Sequence, residues 1–231
     1  MSEKSLIRIQ AVSGLIFSVF LVLHLLNTAA GALSQDVYDR FMAVARLYYQ
    51  LPVVEIVGVV GAAVVHMGTG LARAWRRRSR RAPTNLGWRV RLHRYSGYYL
   101  MLAFVGHVAA TRGPGLLGYP ADLSFVHLSL AYAGVFFYPY YVLLGVGGAY
   151  HLTHGVIVAL RALRVRLPAA LVGRRSVAFG ALAVLASMVV LTGVLGLGGH
   201  LYEVDTSRFV EWQGLYESLV PWAPLPWRAA Q

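Results

Sequence analysis

The sequence predicts an all-α integral membrane protein, a bundle of five transmembrane helices, and three observations carry that prediction. Hydrophobic residues make up 58% of the 231, against about 45–50% in soluble domains. Charged residues are only 13% and fall in blocks. Between the blocks run apolar stretches close to the roughly 20 residues that a helix needs to cross hydrocarbon. Backbone in lipid must satisfy its own hydrogen bonds, so these stretches are read as helices.

The first span is Val12–Ala30. Ala30-Gly31-Ala32 resembles a signal cleavage site, but the apolar run is longer than a signal h-region and carries a histidine, so the span is read as retained. The others are Val53–Ala74, Tyr95–Thr111, Tyr140–Leu160 and Val177–Leu201. An aromatic cluster, Tyr132, Phe136, Phe137, Tyr138, Tyr140 and Tyr141, suits an outer interface ahead of the fourth span. Pro139 is expected to bend or start that helix. Residues 1–202 form the bundle and residues 203–231 a tail. The tail's Trp212, Trp222 and Trp227 are expected on the outer surface, because no apolar span remains to bury them.

Charge sets direction. Lys4 and Arg8, nine arginines from Arg73 to Arg94 and five from Arg161 to Arg175 put sixteen basic residues on one side. Arg40, Arg46, Arg112, Arg208 and Arg228 put five on the other. The richer side is expected in the cytoplasm, with the N-terminus inside and the C-terminus outside. The net charge of +12 is thus a topology signal rather than a nucleic-acid surface. Cysteine is absent, which excludes disulfides, thiolate-ligated clusters and covalently attached c-type haem within this chain. A redox cofactor would need histidine or other non-thiolate ligands.

Of eight histidines, His24, His66, His107 and His151 fall one in each of the first four spans, and His154 shares the fourth. Ionisable groups within spans are costly and usually functional, although a lone one can serve only as an interhelical hydrogen-bonding group. His93, His127 and His200 lie at span ends, where a wet interfacial histidine is the ordinary reading. At 1.5 Å rise per residue, His66 lies roughly 10 Å and His151 about 15 Å from the arginine-rich ends of their spans. His24 and His107 lie roughly 20 Å or more from theirs. Depth therefore pairs spans two and four as an inner level and spans one and three as an outer level. His154 competes with His151, since it matches His66 slightly better in depth.

Small residues flank the histidines: Ala62, Ala63 and Gly70, then Ala103 and Ala110, then Gly147, Gly148 and Gly155. They suit a macrocycle lying along a helix, and helix packing would use them equally well, as it would the glycines of the fifth span. An internal repeat is more specific. Ser13-Gly14 precedes His24 as Ser96-Gly97 precedes His107, the histidine eleven residues after the serine in both; His66–Gly70 and His151–Gly155 share H-x-x-x-G.

On these segments the chain resembles the single-subunit, five-helix, dihaem cytochrome b of succinate:quinone and quinol:fumarate reductases. The resemblance covers roughly residues 8 to 200 and is strongest at Ser13–His24, Glu55–Gly70, Arg94–Arg112 and His151–Gly155. It implies two b haems, the inner one on His66 and His151 and the outer one on His24 and His107, and its H-x-x-x-G pattern favours His151 over His154. It also implies a quinone substrate, menaquinone in dihaem members, and flavoprotein and iron–sulfur partner subunits on the cytoplasmic face of a prokaryotic cytoplasmic membrane. The complex would be an enzyme, with no dicarboxylate site on this chain. Membrane lipid is the other expected partner. Arg8, His93, Arg94 and Arg112 are candidate propionate or quinone contacts, with His154 an alternative ligand or propionate contact. Glu55 could take a proton at an outer quinol site or stabilise a helix start. Ala149 stands where fumarate-reducing members can carry a glutamate. A formate dehydrogenase or hydrogenase anchor, and a haem-free transporter, are the competing readings.

Overall fold

The computed structural model describes residues 1–79, 87–172, 176–219, 221, 222, 225 and 227, which are almost all helical, with no strand among them. The chain runs through α1 (Glu3–Ala30), α2 (Gln35–Tyr49), α3 (Val54–Ser79), α4 (Trp88–Leu116), α5 (Leu123–Ala162), the short α6 (Ala169–Val172), α7 (Val177–Leu197) and α8 (Phe209–Leu219). Arg80, Arg81, Arg174, Arg175 and Arg228, part of the charge asymmetry, lie outside the described residues.

Caps start the helices where the sequence changes character. The side chains of Ser2, Ser34, Asp122 and Ser176 accept from the backbone amides of Ser5, Val37, Phe125 and Phe179, supplying partners to first-turn N–H groups that have none within the helix. Helix α7 stops at Gly198-Gly199, and Gly199 takes a positive φ of 77°, a conformation open to glycine at little cost.

Helices α1, α3, α5 and α7 are long and apolar enough to cross a membrane. The third predicted span lies within α4, whose 29 residues give ample length at about 1.5 Å each. Its apolarity falls short, because Arg89, Arg91 and Arg94 are followed by Tyr95, Tyr98, Tyr99, His107 and Arg112. On length and apolarity together, four helices qualify among the described residues, not five.

Helix α1 is central, packing on α3, α5 and α7, while α4 packs on α5 and α7 on both α1 and α5. The glycine-rich fifth span is a packing surface. A Cβ at Gly193 would overlap the Thr28 carbonyl and one at Gly196 the Gly31 carbonyl, so only glycine lets α7 approach α1 this closely.

Helix α5 is two helices in one run. Its break is at Ala133 (φ −136°, ψ 41°), six residues before Pro139, which sits within the second part. Proline removes an N–H but leaves the preceding turn free to stay helical when its carbonyl finds room, so the bend expected at Pro139 falls earlier. The first part of α5 joins α2 and α8 in a cap. Trp212 is fully buried there, its Nε1 donating to Ser124 Oγ at 2.9 Å and its ring edge-on to Phe125. Trp227 is buried as well, and Trp222 is exposed. The expectation that nothing remains to bury these tryptophans is corrected for two of them: the start of α5 supplies the apolar face that no further span could. Arg208 ties the cap together, contacting Asp122 and Glu211 and holding the Glu211 carboxyl below its ordinary range. Asp39 of α2 accepts from the Leu123 amide at 2.8 Å, and its burial pushes its carboxyl up.

Candidate functional site

The four span histidines meet in two pairs. His66 on α3 and His151 on α5 have ring centres 6.2 Å apart with planes at 90°, and His24 on α1 and His107 on α4 have centres 5.7 Å apart at 73°. These are the pairs that depth selects. Two imidazoles sharing one metal ion at nitrogen–metal distances of about 2.0–2.1 Å place their ring centres about 6 Å apart. Neither α3 with α5 nor α1 with α4 belongs to the closely packed helix pairs, so each histidine pair faces across a gap between backbones. Among the described residues no group of three or more His, Cys, Asp or Glu side chains is arranged as a metal site; two-ligand sites of the haem type fall outside that pattern.

The repeat has a structural meaning that spacing alone did not reveal. His66 Nδ1 is 2.9 Å from the Gln10 carbonyl, and His151 Nδ1 is 3.2 Å from the His93 carbonyl. Gln10 and His93 each stand three residues before the repeated Ser-Gly. Ser13 Oγ donates to the carbonyls of Ile9 and Gln10, and Ser96 Oγ to that of His93 while lying 3.2 Å from His151 Nδ1. Both serines are buried. The glycines follow the same logic. An added Cβ at Gly14 would sit 2.7 Å from His66 Nδ1, and one at Gly97 2.8 Å from His151 Cε1, closer than carbon can approach without displacing the ring. Each Ser-Gly pair therefore seats the inner histidine of its own half.

A carbonyl partner at Nδ1 sets the tautomer with the proton on that nitrogen, leaving Nε2 basic and available to a metal. The H-x-x-x-G glycines serve this seat too. Gly70 faces Gln10 Nε2 at 3.0 Å and Gly155 faces His93 Cε1 at 3.3 Å, so the room they leave is filled by side chains from the repeat itself. That use was hidden in the sequence, where the same glycines fit a macrocycle as readily.

The outer pair is held differently. Phe20, one turn before His24, stacks on it at 5.6 Å and 15°, while Tyr140 OH lies 3.4 Å from His107 Nδ1. Thr28 and Thr111, each four residues after an outer histidine, donate to that histidine's carbonyl at 3.1 and 2.7 Å, extending the repeat by a position. Beside His107 opens a cavity of about 230 Å³, lined by Thr111, Ser129, Phe137, Tyr140, Tyr141 and Tyr216 among others. Buried Asn27, one turn beyond His24, has no partner for its Oδ1 among the described residues.

The remaining candidates separate clearly. His154 packs on Tyr150 and Phe179 and lies 4.9 Å from His93, whereas it is the His151 ring that meets His66. His93 is half-buried rather than wet, stacked on His151 with ring centres 4.1 Å apart and planes at 13°. His127 is not a free interfacial group either: its Nδ1 lies 2.9 Å from the Leu197 carbonyl at the end of α7. His200 is exposed and bonded to Tyr138. Arg8 is exposed and Arg94 half-buried. Glu55 and Arg112, considered separately in the sequence, bind each other through two hydrogen bonds of 2.5 and 3.1 Å. Glu55 lies in the π-helical opening of α3, Val54–Gly61, a wide-turn geometry often found at functional positions. No family model matches the chain, and no curated protein or solved structure is significantly similar to it.

Proposed function

We propose that the chain is the membrane-anchor cytochrome b of a succinate:quinone oxidoreductase, binding two b haems at the two histidine pairs. The observation that carries this reading is the facing of two histidine pairs at 5.7 and 6.2 Å across gaps in an apolar helical bundle. The residues fit the group. The inner rings have their Nδ1 atoms occupied by carbonyls, which would leave Nε2 of His66 and His151 free to hold a haem iron. Glycine keeps the space against those rings clear.

When bound, two b haems supply one-electron carriers at two depths. The chain's own work is to hold the rings. Gln10, Ser13 and Gly14 orient His66; His93, Ser96 and Gly97 orient His151; Phe20 and Tyr140 support His24 and His107. The apolar spans keep water from both pairs. The arginine-rich end faces the cytoplasm in this reading, with α4 as the fifth span, and offers the side on which flavoprotein and iron–sulfur subunits dock. Quinone, menaquinone by the resemblance, is the membrane substrate. The hydroxyl- and aromatic-lined cavity beside His107 is large enough for part of a planar headgroup.

Purification in mild detergent tests the reading. The expected result is a reduced b-type visible spectrum and co-purification of a flavoprotein and an iron–sulfur protein with succinate:quinone activity. A purified chain with no b-type spectrum, after expression with ample haem supply, would sink it. A dihaem spectrum with different partner subunits would move the chain to another quinone-linked complex.

A further inference from the structure

The two halves of the repeat place Gln10 and His93 at equivalent positions. Each lends its carbonyl to an inner histidine and each lays its side chain against the glycine of an H-x-x-x-G segment. Their side chains then diverge. Gln10 turns to Arg73, whose guanidinium donates to Gln10 Oε1 and to Glu3. His93 lies face to face with His151 at 4.1 Å and 13°, and its buried Nδ1 has no partner among the described residues.

We propose that His93 is a positioning residue for His151, its ring fixing the plane of the His151 imidazole about the bond that would join it to iron. This rests on the reading of the inner pair as haem ligands. A hydrogen bond at Nδ1 holds a ring's tautomer and tilt but leaves some freedom to swing about the donor direction. A second ring stacked parallel removes that freedom, because aromatic faces in offset contact lose packing when one rotates. His66 has no comparable support among the described residues: the ring packed on it is His151 itself, edge-on. Both inner rings are seated through Nδ1, and of the two only His151 also has a parallel ring against its face. Ser96 completes the seat by holding the His93 carbonyl that His151 Nδ1 uses.

The relative orientation of two axial imidazole planes alters the low-spin ferric electron paramagnetic resonance signal, so the inner haem reports on this directly. The test compares His93→Gln, which copies the first half of the repeat, with His93→Phe, which keeps a stacked ring. The expected result is a shifted inner-haem signal and inner midpoint potential in His93→Gln, or loss of that haem, with both kept near the parent values in His93→Phe. The outer haem of the same molecule should be unchanged in both and serves as the internal control. Inner signals unchanged in both variants would overturn the proposal, as would equal shifts in both or a shift confined to the outer haem. A parent protein without b haem would instead be a failure of the haem reading, visible before any variant is made.

Discussion

The inner and outer histidine pairs share a spacing but not a means of support. At the inner pair, both rings are tied through Nδ1 to main-chain carbonyls on the neighbouring helix, and glycine lies against each ring. At the outer pair the supports are side chains, Phe20 stacked on His24 and Tyr140 at His107, with a cavity alongside. A carbonyl in a helix cannot move without moving the helix, whereas a phenylalanine or tyrosine has rotamers to explore. The inner pair is thus built for a fixed geometry, and the outer pair for a site that something else approaches. The duplicated unit explains the first half of this contrast, since each copy carries its own seat for an inner histidine.

Substitution of the histidines separates the two levels most completely. His66→Ala or His151→Ala is expected to remove the inner haem alone, and His24→Ala or His107→Ala the outer haem alone, as read by redox titration of the visible spectrum. His154→Ala should retain both haems, because its ring packs on Tyr150 and Phe179. Retention of both in His151→Ala would transfer the ligand role to His154.

The glycine seats give the next largest effect. Gly14→Ala and Gly97→Ala each bring a methyl group to within 2.8 Å of an inner ring, and should lower inner-haem occupancy with the outer haem intact. Equal loss of both haems would show that the seats matter to folding rather than to the inner pair.

Trp212→Ala probes the other level. Emptying a fully buried tryptophan site costs about 3–5 kcal/mol, read as a lower unfolding temperature in detergent. The outer-haem signals should shift with it, since Phe125 and Tyr216, packed near Trp212, also line the cavity beside His107. Inner signals should not follow. A smaller effect is expected from Glu55→Gln, whose partner Arg112 is about a quarter exposed. Solvent screening limits such a pair to about 1 kcal/mol or less, so little change in unfolding temperature is expected.

Much of this contrast could be read in the sequence, and the part that could not has physical reasons. One histidine in each of the first four predicted spans is legible because an ionisable group in lipid is costly, and depth follows from the constant rise of a helix. The seats are not legible, because a main-chain carbonyl has no residue type: nothing in Gln10 or His93 announces that its oxygen is used. Ser-Gly could be recognised as a repeat, yet its spacing pointed to His24 and His107 on the same helix while its contacts are with His66 and His151 on others. Helix α4 shows that a helix lined with histidine and tyrosine can be long without being apolar enough to qualify by hydropathy. The cap was missed because Trp212 is buried by the start of α5, a stretch whose polar residues Asp122, Ser124 and His127 conceal an apolar face made of Leu123, Phe125 and Leu128. Glu55 and Arg112 are 57 residues apart, and two charges at one depth on different helices do not declare that they meet.

The central claim, that the two histidine pairs are two haem sites, is tested most directly by counting haem per chain in the purified protein and in the four single His→Ala variants. The account predicts two b haems per chain in the parent and one in each variant, with His66 and His151 giving one residual spectrum and His24 and His107 the other. A parent without haem, or a haem count that none of the four substitutions changes, would contradict it.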